Sequence, residues 1–229
     1  TMVSFINNMT HEFKTPISTV ALAAEAIMRS DQISDAVKVE RYARMIKDEN
    51  TRMRNQAEKI LQMAALEEGD FELKLTDVDI HEAIRQAVEN IKLHIESRQG
   101  EVIINLNAKS HFIKADRDHL NSIIYNLLDN ANKYSKEKPK IDISTKNFGQ
   151  GIVVTVSDSG IGIKENDLKM VFKKYYRVAS GNIHDVKGFG LGLSYVKLLV
   201  EAQKGSIKIS SKSGEGTVVE FWLPINSSQ

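Results

Sequence analysis

Four clusters in the sequence carry residue types at spacings that could do chemistry. In Thr10-His11-Glu12-Phe13-Lys14-Thr15-Pro16 a titratable imidazole stands beside a carboxylate that can orient or deprotonate it. By itself this is an ordinary surface histidine near a proline. In Asn126-Leu127-Leu128-Asp129-Asn130-Ala131-Asn132-Lys133-Tyr134, the residues Asn126, Asn130 and Lys133 recur at helical spacing. Two amides and an ammonium therefore share one face. Neutral amides suit magnesium when a polyphosphate supplies the negative charge, and lysine is a phosphate partner, although the same residues also make a plain solvated face. Asp158-Ser159-Gly160-Ile161-Gly162-Ile163 follows a strand and reads in isolation as a turn. Gly188-Phe189-Gly190-Leu191-Gly192-Leu193 opens a helix, and its glycines let backbone amides approach a phosphate at the helix N-terminus.

Pattern and composition exclude several chemistries. A zinc peptidase site of the H-E-x-x-H kind needs a second histidine where Thr15 stands after His11 and where Arg85 stands after His81. The glycine cluster lacks the preceding strand of a dinucleotide fingerprint, and no phosphate loop ending in Gly-Lys-Ser/Thr exists. Zero cysteines exclude disulfides, thiolate metal sites and cysteine nucleophiles, which fits a reducing compartment. With 31 basic and 30 acidic side chains and no basic run, neither a nucleic acid nor an anionic membrane is indicated as a partner. No window approaches the roughly 20 apolar residues of a membrane span, and no signal peptide is visible. The 229 residues, 41% hydrophobic and 27% charged, suit one large or two modest globular domains.

The elements that must position these clusters follow from periodicity. Met2, Ile6, Met9, Phe13, Val20, Ala23 and Ile27 alternate in spacings of four and three, with Pro16 in the remaining slot. With Ile6 and Phe13 at heptad position a and Met9 at d, His11 falls at f and faces water. Pro16 cannot donate to the carbonyl of Glu12, which predicts a bend or loosening just after His11. The pattern is already running at Met2, which predicts that the helix continues upstream in a longer parent protein. A polar turn over residues 30–34 leads to a second helix from near Asp35, with Val39, Tyr42, Ile46, Met53, Ile60 and Met63 on one side and Glu49 and Gln56 interrupting it. Residues 1–69 are thus predicted to be a helical hairpin. One hairpin has a single apolar seam, so two copies forming a four-helix bundle, a homodimer, is the expectation.

From Phe71 the period changes. Leu73 and Leu75 lead a short predicted strand, further strands are predicted at 102–106, 112–113, 141–143 and 152–156, and helices run from Val78-Asp79-Ile80 through Ile84, Val88, Ile91 and Ile95 and from about Asp116 to Tyr134. Residues 161–190 read as irregular. A helix over 191–202 and a hairpin of 206–209 with 218–223, closed around Gly214-Glu215-Gly216, complete the domain. Strands and helices mix without strict alternation, so residues 70–229 are expected to form an α/β sandwich of the α+β class.

The ordered set of clusters, ending in Gly214-Glu215-Gly216-Thr217, resembles the transmitter region of sensor histidine kinases of two-component signalling, over nearly the whole chain. The second domain is similar to the Bergerat-fold ATP-binding domain shared with gyrase and Hsp90. The resemblance implies ATP and Mg2+ as cofactors, His11 as phosphoacceptor, Glu12 as the group that orients and deprotonates it, and Thr15 as the residue for dephosphorylating the regulator. Lys14 and Phe13 stand where arginine and leucine are more usual. Carried over in the same way, Asn130 is the magnesium ligand, with Asn126, Lys133 and Tyr134 beside it. Asp158 accepts from the adenine amino group, with Gly160 and Gly162 admitting the base. Gly188, Gly190, Leu191, Gly192 and Thr217 complete the nucleotide site. Val171 to Arg177 resembles the family's F box with Tyr175 in place of its second phenylalanine; Arg177 is a phosphate contact, and the segment to Lys187 a mobile lid. A response-regulator receiver domain is the implied partner, and the implied location is the cytoplasmic side of a membrane-anchored sensor. The rival readings are a non-catalytic dimeric scaffold and a gyrase- or Hsp90-type ATPase. The ATPases hydrolyse with a glutamate where this sequence has Asn126.

Overall fold

A computed structural model of the chain describes residues 2–29, 36–68, 72–176 and 190–225, with the backbone alone for 2–9, 11, 12, 67 and 68. The chain divides at residues 70 and 71 into two compact units. Among the described residues no helix is long and apolar enough to cross a membrane.

The first unit is helical, as its period requires. Helix α1 (Met2–Met28) packs against α2 (Ala36–Glu68). The seam is that of the heptads: Pro16, Ala23 and Met63 are buried, and Phe13, Val20, Ile27, Ile46, Met53 and Ile60 are half-buried. Glu49 and Gln56 are half-buried too, so the polar interruptions share the packed side instead of pointing away from it. Helix α1 continues through Pro16 without a break. Beyond it, the Thr19 hydroxyl donates to the carbonyl of Thr15 at 3.0 Å. Ile17, Leu22 and Leu61 remain 56%, 67% and 68% exposed. The ion pairs Arg44–Glu40 and Arg54–Glu58 along α2 are solvent-exposed and contribute about 0.3–0.5 kcal/mol each, so apolar contact does most to hold the hairpin.

The second unit has helices over a mixed sheet. Strands β2 (Glu101–Leu106), β4 (Lys140–Phe148), β5 (Gly151–Asp158), β7 (Gly216–Pro224) and β6 (Ser206–Lys212) lie in the order β2-β4-β5-β7-β6. Among the described strands the β2–β4 pair alone is parallel. A separate antiparallel pair joins β1 (Leu75–Asp79) to β3 (Phe112–Asp116). Helix α4 (Arg117–Tyr134) lies between α3 (Ile80–Glu96) and α6 (Gly192–Ala202). Its residues Leu120, Ile123, Ile124, Leu127 and Leu128, at most 2% exposed, form the centre of the core with Ile84 and Ile91 of α3, Val196 and Leu199 of α6, and Ile143, Val154 and Phe221 of the sheet. Truncating any of these α4 side chains to alanine is expected to cost about 2–5 kcal/mol.

Both long helices start on an aspartate in extended conformation. Asp79 accepts from the N–H groups of His81 and Glu82, and Asp116 from those of Asp118 and His119, so orphan donors of each first turn are satisfied. Asp116 also accepts from Lys74 N–H at 2.9 Å, and its own N–H donates to Gln203 Oε1 at 3.0 Å, tying the start of α4 to the end of α6. Two expectations need correction. The first strand starts at Leu75 rather than Leu73 and takes in Val78 and Asp79, because pairing with β3 sets its limits. The stretch read as irregular also contains a short helix, α5 (Glu165–Leu168), one turn with no apolar face to betray it.

Candidate functional site

The second half of α4 supplies the first part of the site. Burying Leu127, Leu128 and Ala131 on the core side turns Asn130 to half-burial and leaves Lys133 largely in water. Asn126 is buried, and its Nδ2 donates to the carbonyl of Ser122 one turn earlier at 2.6 Å. Lys133 pairs with Asp129 on the same helix. Tyr134, at the last helical position, is 42% exposed, and its carbonyl accepts from Ile161 N–H at 3.0 Å.

That bond carries the helix end to the Asp158 loop. A Cβ at Gly160 would stand 2.3 Å from the Tyr134 carbonyl oxygen, so only glycine allows the loop to lie against the helix. Gly162 has φ +63°, and a Cβ there would stand 2.0 Å from the carbonyl of Lys212. Ile163 N–H donates to Ser211 Oγ at 2.8 Å and Gly214 N–H to the carbonyl of Ile161 at 2.7 Å, which binds the same loop to the β6–β7 turn. Ser211 also donates to the Gly216 carbonyl at 2.6 Å and lies 3.0 Å from the Thr217 hydroxyl.

Asp158 ends β5 between Ile141 of β4 and Thr217 of β7. Its Oδ1 accepts from Gly160 N–H at 2.8 Å. Burial pushes its carboxyl above the usual carboxylate range, and the N–H groups of Gly160 and Thr217 only partly offset this. A carboxylate so withdrawn from water gains from a donor delivered by a ligand, such as an exocyclic amine.

Helix α6 closes the arrangement. Its first residue, Gly192, faces Asn130: a Cβ there would stand 3.5 Å from Asn130 Nδ2 and 3.7 Å from Oδ1. Leu191 is buried, and its carbonyl accepts from Tyr195 N–H at 2.8 Å and Ser194 Oγ at 3.0 Å. Gly190, at φ +69°, accepts from Tyr175 N–H at 3.0 Å, so the segment resembling an F box is fastened to the helix start. Asn126, Asn130, Lys133, Tyr134, Asp158, Gly160, Gly162, Gly190, Leu191, Gly192 and Thr217 thus belong to one set of linked segments. Arg177 and Gly188 lie outside the described residues, as does the lid segment. His11, Glu12 and Thr15 lie on α1 in the first unit, with Thr15 exposed. The donor set fits a magnesium polyphosphate, with a neutral amide in Asn130, first-turn backbone N–H groups that have no acceptor within their own 11-residue helix and a cation in Lys133.

Three supporting residues carry no sequence signal. Arg98 grips the end of α4, donating to Asn132 Oδ1 at 3.0 Å, to the carbonyls of Ser135 at 3.1 Å and Lys136 at 2.7 Å, and to that of Asn132. Ser211 of β6 ties the loop at Ile163 to the start of β7, and Lys136 donates to the Gly214 carbonyl at 3.0 Å. Each acts across a long sequence separation, which no local pattern records.

Comparison with known proteins agrees with this layout. Residues 115–227 match the family described as histidine kinase-, DNA gyrase B-, and HSP90-like ATPase, and residues 1–69 the His Kinase A (phospho-acceptor) domain. The chain is 40% identical over 223 residues to the sensor protein RprX of Bacteroides fragilis, covering 96% of this chain and 43% of that protein. It therefore spans less than half the length of that relative. Full-length ShkA in complex with AMPPNP has a similar fold, with a TM-score of 0.73 at 23% identity over 96% of this chain and 45% of that one. So does the histidine kinase ThkA in complex with the response regulator protein TrrA, with a TM-score of 0.70 at 21% identity over 96% and 60%.

Proposed function

The chain belongs to the sensor histidine kinases, and from that premise we propose that it transfers the γ-phosphoryl group of ATP to His11 and then to an aspartate of a response-regulator receiver domain. The observation that supports this most is that three separated motifs meet the second half of α4, with Gly192 against Asn130 and Gly160, which Asp158 holds, against the Tyr134 carbonyl. In this reading Asp158 accepts from the adenine amino group and Gly160 leaves room for the ring. Lys133 exchanges its pairing with Asp129 for a phosphate, and the first amides of α6, with Gly190 and Leu191 before them, face the phosphates. Tyr134 and Thr217 belong to the same nucleotide site, to which the motif resemblance adds Arg177 and Gly188. Asn130 holds Mg2+, which when bound neutralises polyphosphate charge. The neutral imidazole of His11 attacks in line, the bond from the γ-phosphorus to the bridging oxygen breaks, and Glu12 takes the proton from the opposite ring nitrogen.

The first unit supplies the acceptor and the dimer. Ile17, Leu22 and Leu61 remain exposed on the isolated hairpin, and a second copy forming a four-helix bundle would cover apolar surface of this kind. Thr15, exposed one turn after His11, orients water for dephosphorylating the regulator. The parent protein is a membrane-anchored sensor with this portion in the cytoplasm. Incubation with labelled ATP and Mg2+ is expected to give an acid-labile, base-stable phosphoprotein. Equal labelling of a His11→Gln protein would overturn the assignment, and absence of any labelling would favour a non-catalytic scaffold.

A further inference from the structure

The junction of β1 with α3 and the start of β3 bring two imidazoles and a carboxylate together on residues that take no part in the cluster around Asp158. Asp79, His81 and His111 each offer a ligand atom within 4.8 Å of those of the other two. The rings of His81 and His111 are stacked, with centroids 4.4 Å apart and planes 8° from parallel. Thr145, which His81 touches, pairs with Val154, whereas Asp158 pairs with Ile141 on the same strand. The two strand positions are four steps apart, about 13 Å at ~3.3 Å per residue.

We propose that Asp79, His81 and His111 bind a divalent transition-metal cation, zinc foremost, through two imidazole nitrogens and a carboxylate oxygen, with solvent completing the shell. The donor set selects the ion: magnesium and calcium prefer oxygen ligands, whereas two histidines with one carboxylate suit zinc and its neighbours and leave a coordination position open. Each ligand is held from behind. Asp79 Oδ1 accepts from the N–H of His81 at 2.9 Å and of Glu82 at 3.3 Å. His81 is buried, and its Nε2 lies 2.9 Å from Thr145 Oγ1, which leaves Nδ1 as the ligand. The backbone of His111 is fixed by Ile80 N–H, which donates to its carbonyl at 3.1 Å. Such outer bonds set tautomer and ring orientation at metal sites.

Helix capping needs only Asp79 and two backbone donors, and it leaves unexplained why two face-to-face imidazoles meet at that carboxylate. His111 and Asp79 side chains are 30% and 29% exposed, which gives an ion a way in. Ligands about 2.0–2.2 Å from a tetrahedral zinc lie roughly 3.3 Å apart, so binding turns the rings out of their stack. The ion also displaces the proton shared by His111 Nδ1 and Asp79 Oδ1, now 2.8 Å apart.

The test is titration of the whole chain with zinc chloride, without nucleotide, by calorimetry and thermal unfolding, alongside the imidazole NMR signals. One ion per chain at micromolar or lower concentration, a raised Tm and displaced His81 and His111 signals are expected. His111→Ala should weaken binding at least tenfold, and His11→Gln and His94→Ala should leave it unchanged. Equal binding by His111→Ala, loss of binding in either control, displacement of other histidine signals alone, or no binding at millimolar zinc would overturn the proposal. The NMR readout uses the unaltered chain, so it decides the matter even if His111→Ala folds poorly.

Discussion

The side-chain amide of Asn130 lies against the Cα of Gly192, so that a methyl placed there would stand 3.5 Å from Nδ2 and 3.7 Å from Oδ1. These are ordinary contact distances. Gly192 is therefore not required for the two helices to pack, in contrast to Gly160, where the added carbon would stand 2.3 Å from the Tyr134 carbonyl oxygen.

Alanine at the two glycines should consequently have opposite effects on the fold. Gly192→Ala places a better helix former in the first turn of α6 and should stabilise by up to about 1 kcal/mol, while its methyl intrudes beside Asn130 and lowers affinity for an ATP analogue. Gly160→Ala must push the loop off the end of α4 and should cost about 1–3 kcal/mol. Urea midpoints and analogue titrations read both. Undiminished analogue affinity in Gly192→Ala would remove that residue from the nucleotide site.

Asp158→Asn should strengthen the fold and weaken binding. The folded carboxyl has a raised pKa, so the folded state holds the proton more tightly than the unfolded one. That contribution is fully present below the unfolded value near 3.8 and is lost as pH rises through the raised folded value. At neutral pH the ionised carboxylate is thus a cost that asparagine removes, and the advantage should vanish in acid. Loss of a charged acceptor for the adenine amine should weaken nucleotide binding roughly 10- to 100-fold. Wild type proving more stable than Asp158→Asn at pH 7 would contradict the burial argument.

Arg98 grips the end of α4 from outside the site. Arg98→Ala leaves the carbonyls of Ser135 and Lys136 and the Asn132 amide without their charged donor, which should destabilise by about 1.5–3 kcal/mol. Lysine cannot reproduce the planar fork, so Arg98→Lys should recover little. Hydrogen exchange at residues 131–135 is the direct measure. Nucleotide affinity should fall too, because Tyr134 in that turn holds Ile161.

Acid should loosen the starts of α3 and α4. Burial acts to raise Asp116, but the N–H groups of His119 and Lys74 and the His119 side chain outweigh it and leave the carboxyl lowered; Asp79 is lowered likewise. A lowered pKa means stability that is present above the unfolded value near 3.8 and lost as pH falls through the folded value. Urea midpoints should therefore drop below pH 4, with a shallower slope in Asp116→Asn. An unchanged slope in that variant would assign the acid sensitivity elsewhere.

Periodicity alone located the hairpin seam from Phe13 to Ile27, the buried side of α4 from Leu120 to Leu128, and most strands, because a repeat of seven or two residues is written within one segment. It stopped short where a partner sets the limit. Strand β1 ends where β3 stops pairing with it, and α5 is one polar turn held in place by its surroundings. The motif strings around Asn130, Asp158 and Gly192 were readable as candidates for the same kind of reason, since each is local.

What the sequence determined by itself is the set of parts: two helices with an apolar seam, an α/β domain, and short strings able to hold a nucleotide. What only the tertiary structure decided is which parts meet. Asn130 against Gly192, Gly160 against the Tyr134 carbonyl, Arg98 on the end of α4, and the stacked His81 and His111 beside Asp79 all join residues far apart along the chain. Side-chain period is a property of one element, whereas these contacts depend on how the core packs the elements together, and the same local strings in another packing would have no common site.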